Sequence, residues 1–368
     1  HELSHMDLLD LLDDYLLVHL FMQGGLACVV SAWQLNHRTK RLCSIEIQAR
    51  LPALKALTSP PFKISLAQSF GIAGGTKWIG TRREITDSDM AVFSFAVSRG
   101  ALASLEVLSF GGNPVGDSGM ITFADAIKPT DEIPMGALAS VTMLSLSGNQ
   151  IGDEGIKAFS SALRSGAMGS LQKLWLHGNQ IGDGGMIAFA EALKPNSNFP
   201  MGALASLKEL YLQCNQFGHE GMKAFSTAIS SGAMGSLQQL WLHGNQIGDG
   251  GMIAFAEALK PNSNFPMGSL PNFVHFDISY NQIGDTGMIA FADAIKPTDE
   301  FPMGSLASLE DLRLWDNTIG DKGMKVFSSA LSSGALASLQ RIYLGDETMG
   351  ALHPALKVVC EDRGINWL

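Results

Sequence analysis

The sequence is poor in the residues that most chemistry requires. Four cysteines, Cys28, Cys43, Cys214 and Cys360, are scattered over 368 residues without a Cys-x-x-Cys pair, which argues against a disulfide framework and against a thiolate zinc site. They read as reduced thiols, which points to an intracellular, cytoplasmic protein. Charged residues make up only 16% and lean acidic: 25 Lys and Arg against 35 Asp and Glu leave a net charge of -10 and a pI near 5.3. A phosphate backbone is met by clustered basic side chains, so the composition speaks against nucleic acid as a partner. No phosphate-binding loop, Ser-His-Asp or Cys-His constellation or zinc-ligand cluster is visible, so no catalytic residue, metal site or cofactor is expected. One charge-free stretch, Tyr15 to Trp33, precedes the basic run His37, Arg38, Lys40 and Arg41. His19, Gln23, Gly24 and Gly25 fall near its middle, where a bilayer tolerates them least, and this weakens a membrane span.

What the chain has in abundance is repetition. The phrase Leu-Trp-Leu-His-Gly-Asn-Gln-Ile-Gly-Asp-Gly starts at Leu174 and again at Leu240, and echoes of it run along most of the chain. Its asparagine recurs as Asn113, Asn149, Asn179, Asn215, Asn245, Asn281 and Asn317, at spacings of 36, 30, 36, 30, 36 and 36 residues. Periods of this size mean a solenoid, whose units bury their apolar faces only against one another and present one long surface. Such a surface predicts binding rather than catalysis. Residues Ser165 to Gly202 match Ser231 to Gly268 at every position except Lys173, which becomes Gln239, so a block of two units has been duplicated.

Each unit reads in two parts. Leu171, Leu174, Leu176 and Asn179 carry the pattern Leu-x-x-Leu-x-Leu-x-x-Asn, in which the alternation of Leu174 and Leu176 is that of a strand with one buried face. The asparagine stands where the chain turns out of the strand, and its amide can satisfy backbone groups that the turn leaves unpaired. Then Ile181, Gly182, Asp183, Gly185 and Met186 lead into Phe189, Ala192 and Leu193, which trace one helical face. Asp183, like Asp117, Asp153, Asp249, Asp285 and Asp321, stands where the N-cap of its own helix belongs; capping accounts for these residues with less than calcium binding would require. The phrase Lys-Pro-x-x-x-x-Pro-Met-Gly, at Lys128, Lys194, Lys260 and Lys296, carries the extra six residues of the longer units, and its proline ends the helix in a loop at one rim.

The recurrence of strand, asparagine and helix together from Lys77 to Leu344 resembles leucine-rich repeats of the long, ribonuclease-inhibitor-like class. The expected fold is α/β: a right-handed horseshoe with a parallel sheet on the concave wall and helices on the convex side. The mixed spacing of 30 and 36 departs from a fixed-period array. At the upstream end Arg83 replaces the asparagine and the strand register around Trp78 is poor, as in a capping unit. The resemblance implies a noncatalytic protein-interaction scaffold, not an enzyme.

The expected division is a short helical segment over 1–60, the solenoid over 61–345 and a closing cap over 346–368. Within Asp7 to Leu42, the order Leu12, Asp13, Asp14, Leu16, Leu17, His19, Leu20, Phe21, Val29, Val30 and Trp33 resembles an F-box, although its leading proline is absent. A helical cap is the competing reading. The F-box resemblance implies a ubiquitin-ligase scaffold as partner and a substrate-receptor role. A further alternative is a membrane-anchored or large-assembly subunit held by Tyr15 to Trp33.

Residues between the buried leucines face the concave wall. The slot between the two alternating apolar residues holds Ser109, Ser145, Trp175, Tyr211, Trp241, Asp277, Arg313 and Tyr343; the next outward slot holds Gly111, Ser147, His177, Gln213, His243, Ser279, Trp315 and Gly345. The partner-binding candidates are therefore Trp175, His177, Tyr211, Gln213, Trp241, His243, Asp277, Arg313, Trp315 and Tyr343. Trp175, Tyr211 and Trp241 form an aromatic ladder with strands about 5 Å apart, whose rings could instead merely cover one another. Asp277 and Arg313, in equivalent slots of adjacent strands, are expected to pair. His177 and His243, two strands and about 10 Å apart, are too distant to share a metal ion.

Overall fold

The computed structural model describes residues 76–98, 102–344 and 354–367. The segment 1–60, with its cap, F-box and membrane-span readings, lies outside the described residues, as does Gly345. Ten strands form one parallel sheet in sequence order: β1 Lys77–Ile79, β2 Val107–Ser109, β3 Met143–Ser145, β4 Lys173–Trp175, β5 Glu209–Tyr211, β6 Gln239–Trp241, β7 His275–Asp277, β8 Asp311–Arg313, β9 Arg341–Tyr343 and β10 Asn366–Trp367. Helices alternate with them: α1 Asp87–Val97, α2 Asp117–Ile127, α3 Asp153–Arg164, α4 Asp183–Leu193, α5 His219–Ser230, α6 Asp249–Leu259, α7 Asp285–Ile295, α8 Asp321–Ser332 and α9 Pro354–Arg363. Each strand pairs only with its sequence neighbours and each helix packs on the next, so the molecule is an α/β solenoid with a sheet wall and a helix wall.

The core runs unbroken between the two walls. Each three-residue strand, β1 to β9, places its central residue inward to it, Leu108, Leu144, Leu174, Leu210, Leu240, Phe276, Leu312 and Ile342 among them, opposite the helical Met and Phe pairs such as Met186 and Phe189. Trp78 fills the same position in β1, and Lys77, Trp78 and Ile79 align with Val107, Leu108 and Ser109. The first unit is thus in register, contrary to the reading of its sequence: a buried indole stands where leucine stands elsewhere, packed on Phe93 and Phe110.

The asparagines form the expected ladder, and each joins two units. Asn179 donates from Nδ2 to Leu176 O and to Leu146 O of the preceding unit, while its Oδ1 accepts from Ile151 N of that unit. The residue before each of these seven asparagines has a left-handed backbone, which suits Gly112, Gly148, Gly178 and Gly244 and is imposed on Cys214, Tyr280 and Asp316, with φ near 50°.

The aspartates act otherwise than expected. The N-cap of α2 to α8 is a glycine without a side-chain bond, and the aspartate at the first helical position of α2, α3, α4, α6 and α7 reaches across to the next unit. Asp117 Oδ1 accepts from Gly152 N at 2.7 Å and Gly155 N at 2.9 Å, capping α3 rather than its own helix. Asp183, Asp249 and Asp285 repeat this double bond to Gly218 and Gly221, Gly284 and Gly287, and Gly320 and Gly323. Across the shorter units, Asp87 and Asp153 hold one N–H each, from Gly116 and Gly182. Glycine at the receiving position follows from close approach: a Cβ on Gly155 would collide with Asp117 Oδ1. Helix α1 has no aspartate reaching it from an earlier described unit and carries its own capping box, Thr86 with Asp89.

One junction interrupts both ladders. At α5 the sequence substitutes Phe217 for the usual isoleucine or valine and His219 for the aspartate. Among the described residues no hydrogen bond joins His219 to Gly248 N, and Asn245 Oδ1 is buried without a partner. The longer units end where Lys128, Lys194, Lys260 and Lys296 turn extended ahead of proline. Their loops leave Met135, Met201, Met267 and Met303 exposed. At the other end, α9 packs on α8, β10 extends the sheet, and Arg363 donates to Leu331 O, Ala335 O and Leu336 O.

Candidate functional site

Because only the middle residue of each three-residue strand enters the core, its two neighbours stand on the concave face in register from β1 to β9. Over β2 and β3 the slots that carry the rings elsewhere hold small residues, Ser109, Gly111, Ser145 and Ser147, beside the apolar Val107 and Met143. From β4 onward the face rises into aromatic rings. Trp175 and Tyr211 stack at 5.4 Å and 7°, and Trp241 follows 5.5 Å beyond Tyr211 at 52°. All three are half-buried, the condition of rings that cover one another on their faces and leave their edges open. Burial raises the Tyr211 hydroxyl pKa, with Glu209 adding to it, and the hydroxyl donates to Gln239 Oε1 at 3.1 Å.

The expected pairing of Asp277 with Arg313 does not occur. Asp277 is buried, and its two oxygens are taken by His243 Nδ1 at 3.1 Å and by the hydroxyl and N–H of Ser279. Burial pushes its pKa upward, but the bonds from His243 and Ser279 outweigh that and hold it below the usual range. The short aspartate leaves a gap in the ladder, which Arg313 fills. Its guanidinium lies 4.9 Å from the Trp241 ring centroid and 4.6 Å from that of Tyr343, so Trp175, Tyr211, Trp241, Arg313 and Tyr343 make one continuous row of planar groups.

His243, Asp277 and Ser279 are the three residue types of a hydrolase triad, but in the wrong order. The serine bonds the carboxylate and not the imidazole, so no base faces a nucleophile, and Ser279 is fully buried. His177 has its pKa lowered by burial and then by His243, which favours the neutral ring. Buried polar atoms without a partner cluster here: Trp175 Nε1, Trp241 Nε1, His177 Nδ1 and Gln213 Oε1. Trp315 stands apart from the row, edge-on to Tyr280 at 4.4 Å. No group of residues fit to hold a metal ion is found among the described residues, and no described helix is long and apolar enough to cross a membrane.

Two features escaped the sequence reading. Tyr280 lies in the left-handed slot before Asn281, whose residue type varies from unit to unit. A whole column of concave residues, the first of each strand, was also missed: Lys173, Glu209, Gln239, His275, Asp311 and Arg341. Counting two residues back from each tryptophan slot would have found it, because alternation puts both on one face. Lys173 pairs with Glu209 at 2.6 Å, and the buried carboxylate of Asp311 accepts from Nε of both Arg313, at 3.1 Å, and Arg341, at 3.0 Å.

Comparison with known families places this architecture. The family model described as a leucine-rich repeat matches seven times, at residues 101–124, 137–160, 170–190, 203–226, 236–256, 269–292 and 305–328. None of the curated proteins compared matches the chain in sequence. Among solved structures, InlP of Listeria monocytogenes is similar at 13% identity and a TM-score of 0.41, over 80% of this chain and 65% of its own. An octameric complex of Latrophilin 3, Unc5D and the leucine-rich-repeat protein FLRT2 contains a chain similar at 13% identity and a TM-score of 0.36, over 80% of this chain and 83% of that one. The present chain thus spans slightly under two thirds of the length of the first of these.

Proposed function

Because the chain is a leucine-rich-repeat protein, we propose that its concave sheet is a noncatalytic docking surface for a partner protein, centred on Trp175, Tyr211 and Trp241 and continued by Arg313 and Tyr343. The observation that carries this reading is the half-exposed row of planar groups across β4–β9, flanked by buried N–H and carbonyl groups that have no partner among the described residues. Rings already held against one another lose little freedom on binding, which is what an anchoring surface requires. His177, Gln213 and His243 line its outward side. In this reading residues 61–345 form the recognition solenoid and 346–368 close its end.

Ligase recruitment and membrane anchoring through the first 60 residues rest on positions outside those described. The docking face is tested by affinity purification from the native source, with partners identified by mass. Replacing Trp175, Tyr211 and Trp241 together by alanine should abolish capture while the far-UV dichroism stays that of the parent. Retention of the same partners by the folded triple variant contradicts the proposal.

A further inference from the structure

We propose that the β8–β9 end of the concave face recognises a side-chain carboxylate of the partner, held by the guanidinium groups of Arg313 and Arg341. The inference rests on the docking reading above and adds the chemistry of what docks. Three observations meet at this point. Asp311 is buried and accepts through one oxygen from Nε of each arginine, so both of its oxygens are engaged within the protein. The Arg313 guanidinium also lies against the rings of Trp241 and Tyr343, which hold it in place. Both arginine side chains remain about a third exposed, at 31% and 40%, and their Nη groups donate to no described residue.

The result is a patch in which two guanidinium groups still have donors to offer beside a carboxylate that is already bonded twice. Of the other carboxylates at this end, Asp277 has its oxygens engaged by His243 and Ser279, and Glu310 acts on Arg341 through its charge and not through a hydrogen bond. A guanidinium bonded through Nε still has its other N–H groups to offer, and a carboxylate matches that geometry with two oxygens. Preorganisation matters more here than net charge, since a chain of net charge -10 does not attract anions at long range. The partner segment therefore carries an Asp or Glu on the β8–β9 side and apolar groups over Trp175, Tyr211 and Trp241.

The probe is the fluorescently labelled, end-blocked peptide Leu-Phe-Glu-Glu-Phe-Leu, titrated against the full chain by anisotropy. Its Gln-Gln counterpart and its phosphoserine counterpart serve as comparisons. Because losing both arginines would strand the buried Asp311, the variants are Arg313→Lys and Arg341→Lys, which keep a cation beside it but lose the planar fork. The glutamate peptide should bind at least about tenfold tighter than the glutamine one, and each lysine variant should remove most of that difference without a change in melting temperature. Equal binding of the two peptides, absence of binding up to about 1 mM, or full discrimination by both variants overturns the inference. Preference for phosphoserine over glutamate likewise overturns the assignment to a carboxylate. Failure here is separable from failure of the docking face. If the native partner is released by the triple alanine variant but kept by both lysine variants, the face stands and the acidic recognition falls; if neither affects capture, the face itself falls.

Discussion

Each asparagine of the ladder serves two units at once, which makes its loss a test of how the units are joined. Asn179 satisfies Leu176 O, Leu146 O and Ile151 N, whereas Asn245, in a nearly identical stretch of sequence, satisfies Leu242 O and Leu212 O and leaves its Oδ1 unpaired. At about 1 kcal/mol for each bond, Asn179→Ala should cost about 3 kcal/mol and Asn245→Ala about 1 kcal/mol less. Urea denaturation of the two variants checks the difference. Equal losses would show that the third bond contributes nothing. At this scale the structural asparagines were legible in the sequence, because their spacing repeats with the strand pattern. Contacts between units were not. Asp277 and Arg313 share a slot on adjacent strands, and only the structure shows that the shorter side chain turns to His243 and Ser279 while the longer one passes over it to Trp241.

Strands and helices were legible because their periods of two and 3.6 residues are written in Leu, Met and Phe. The receiver of each aspartate was not, since a residue at the first helical position looks like a cap for its own helix. The helix it actually caps lies 35 residues on across a longer unit and 29 across a shorter one, as in Asp117 to Gly152 and Asp153 to Gly182. The interruption at α5 follows from the same rule. His219→Asp should supply Gly248 N with the acceptor that Asp87 and Asp153 give to Gly116 and Gly182, raising stability by about 1 kcal/mol. Thermal denaturation reads this directly. A destabilised variant would mean that the imidazole itself, lying against Gly250, contributes packing that the carboxylate cannot replace.

As a whole the molecule behaves as a row of nearest neighbours, so units can be removed if the joints are preserved. Deleting residues 165–230 joins Arg164 to Ser231, which begins a stretch nearly identical to the one that follows Arg164 in the parent. It removes α4, α5, β4 and β5 and brings Asp153 to the position of donor Gly248 in place of His219. The shortened chain should fold cooperatively with two helices fewer by circular dichroism. A molten or aggregated product would contradict strictly local coupling. The same deletion takes away Trp175 and Tyr211 and leaves Trp241, so it should also lose partner capture.

The central claim is that the sheet wall, and not the helix wall or the loop rim, meets the partner. Hydroxyl-radical footprinting tests it within one sample, because aromatic and methionine side chains are both reactive and here lie on different surfaces. The account predicts that complex formation lowers oxidation of Trp175, Tyr211, Trp241 and Tyr343, while exposed Met135, Met201, Met267 and Met303 of the loops react as in the free chain. Protection of those methionines, with the ladder residues unchanged, would contradict it.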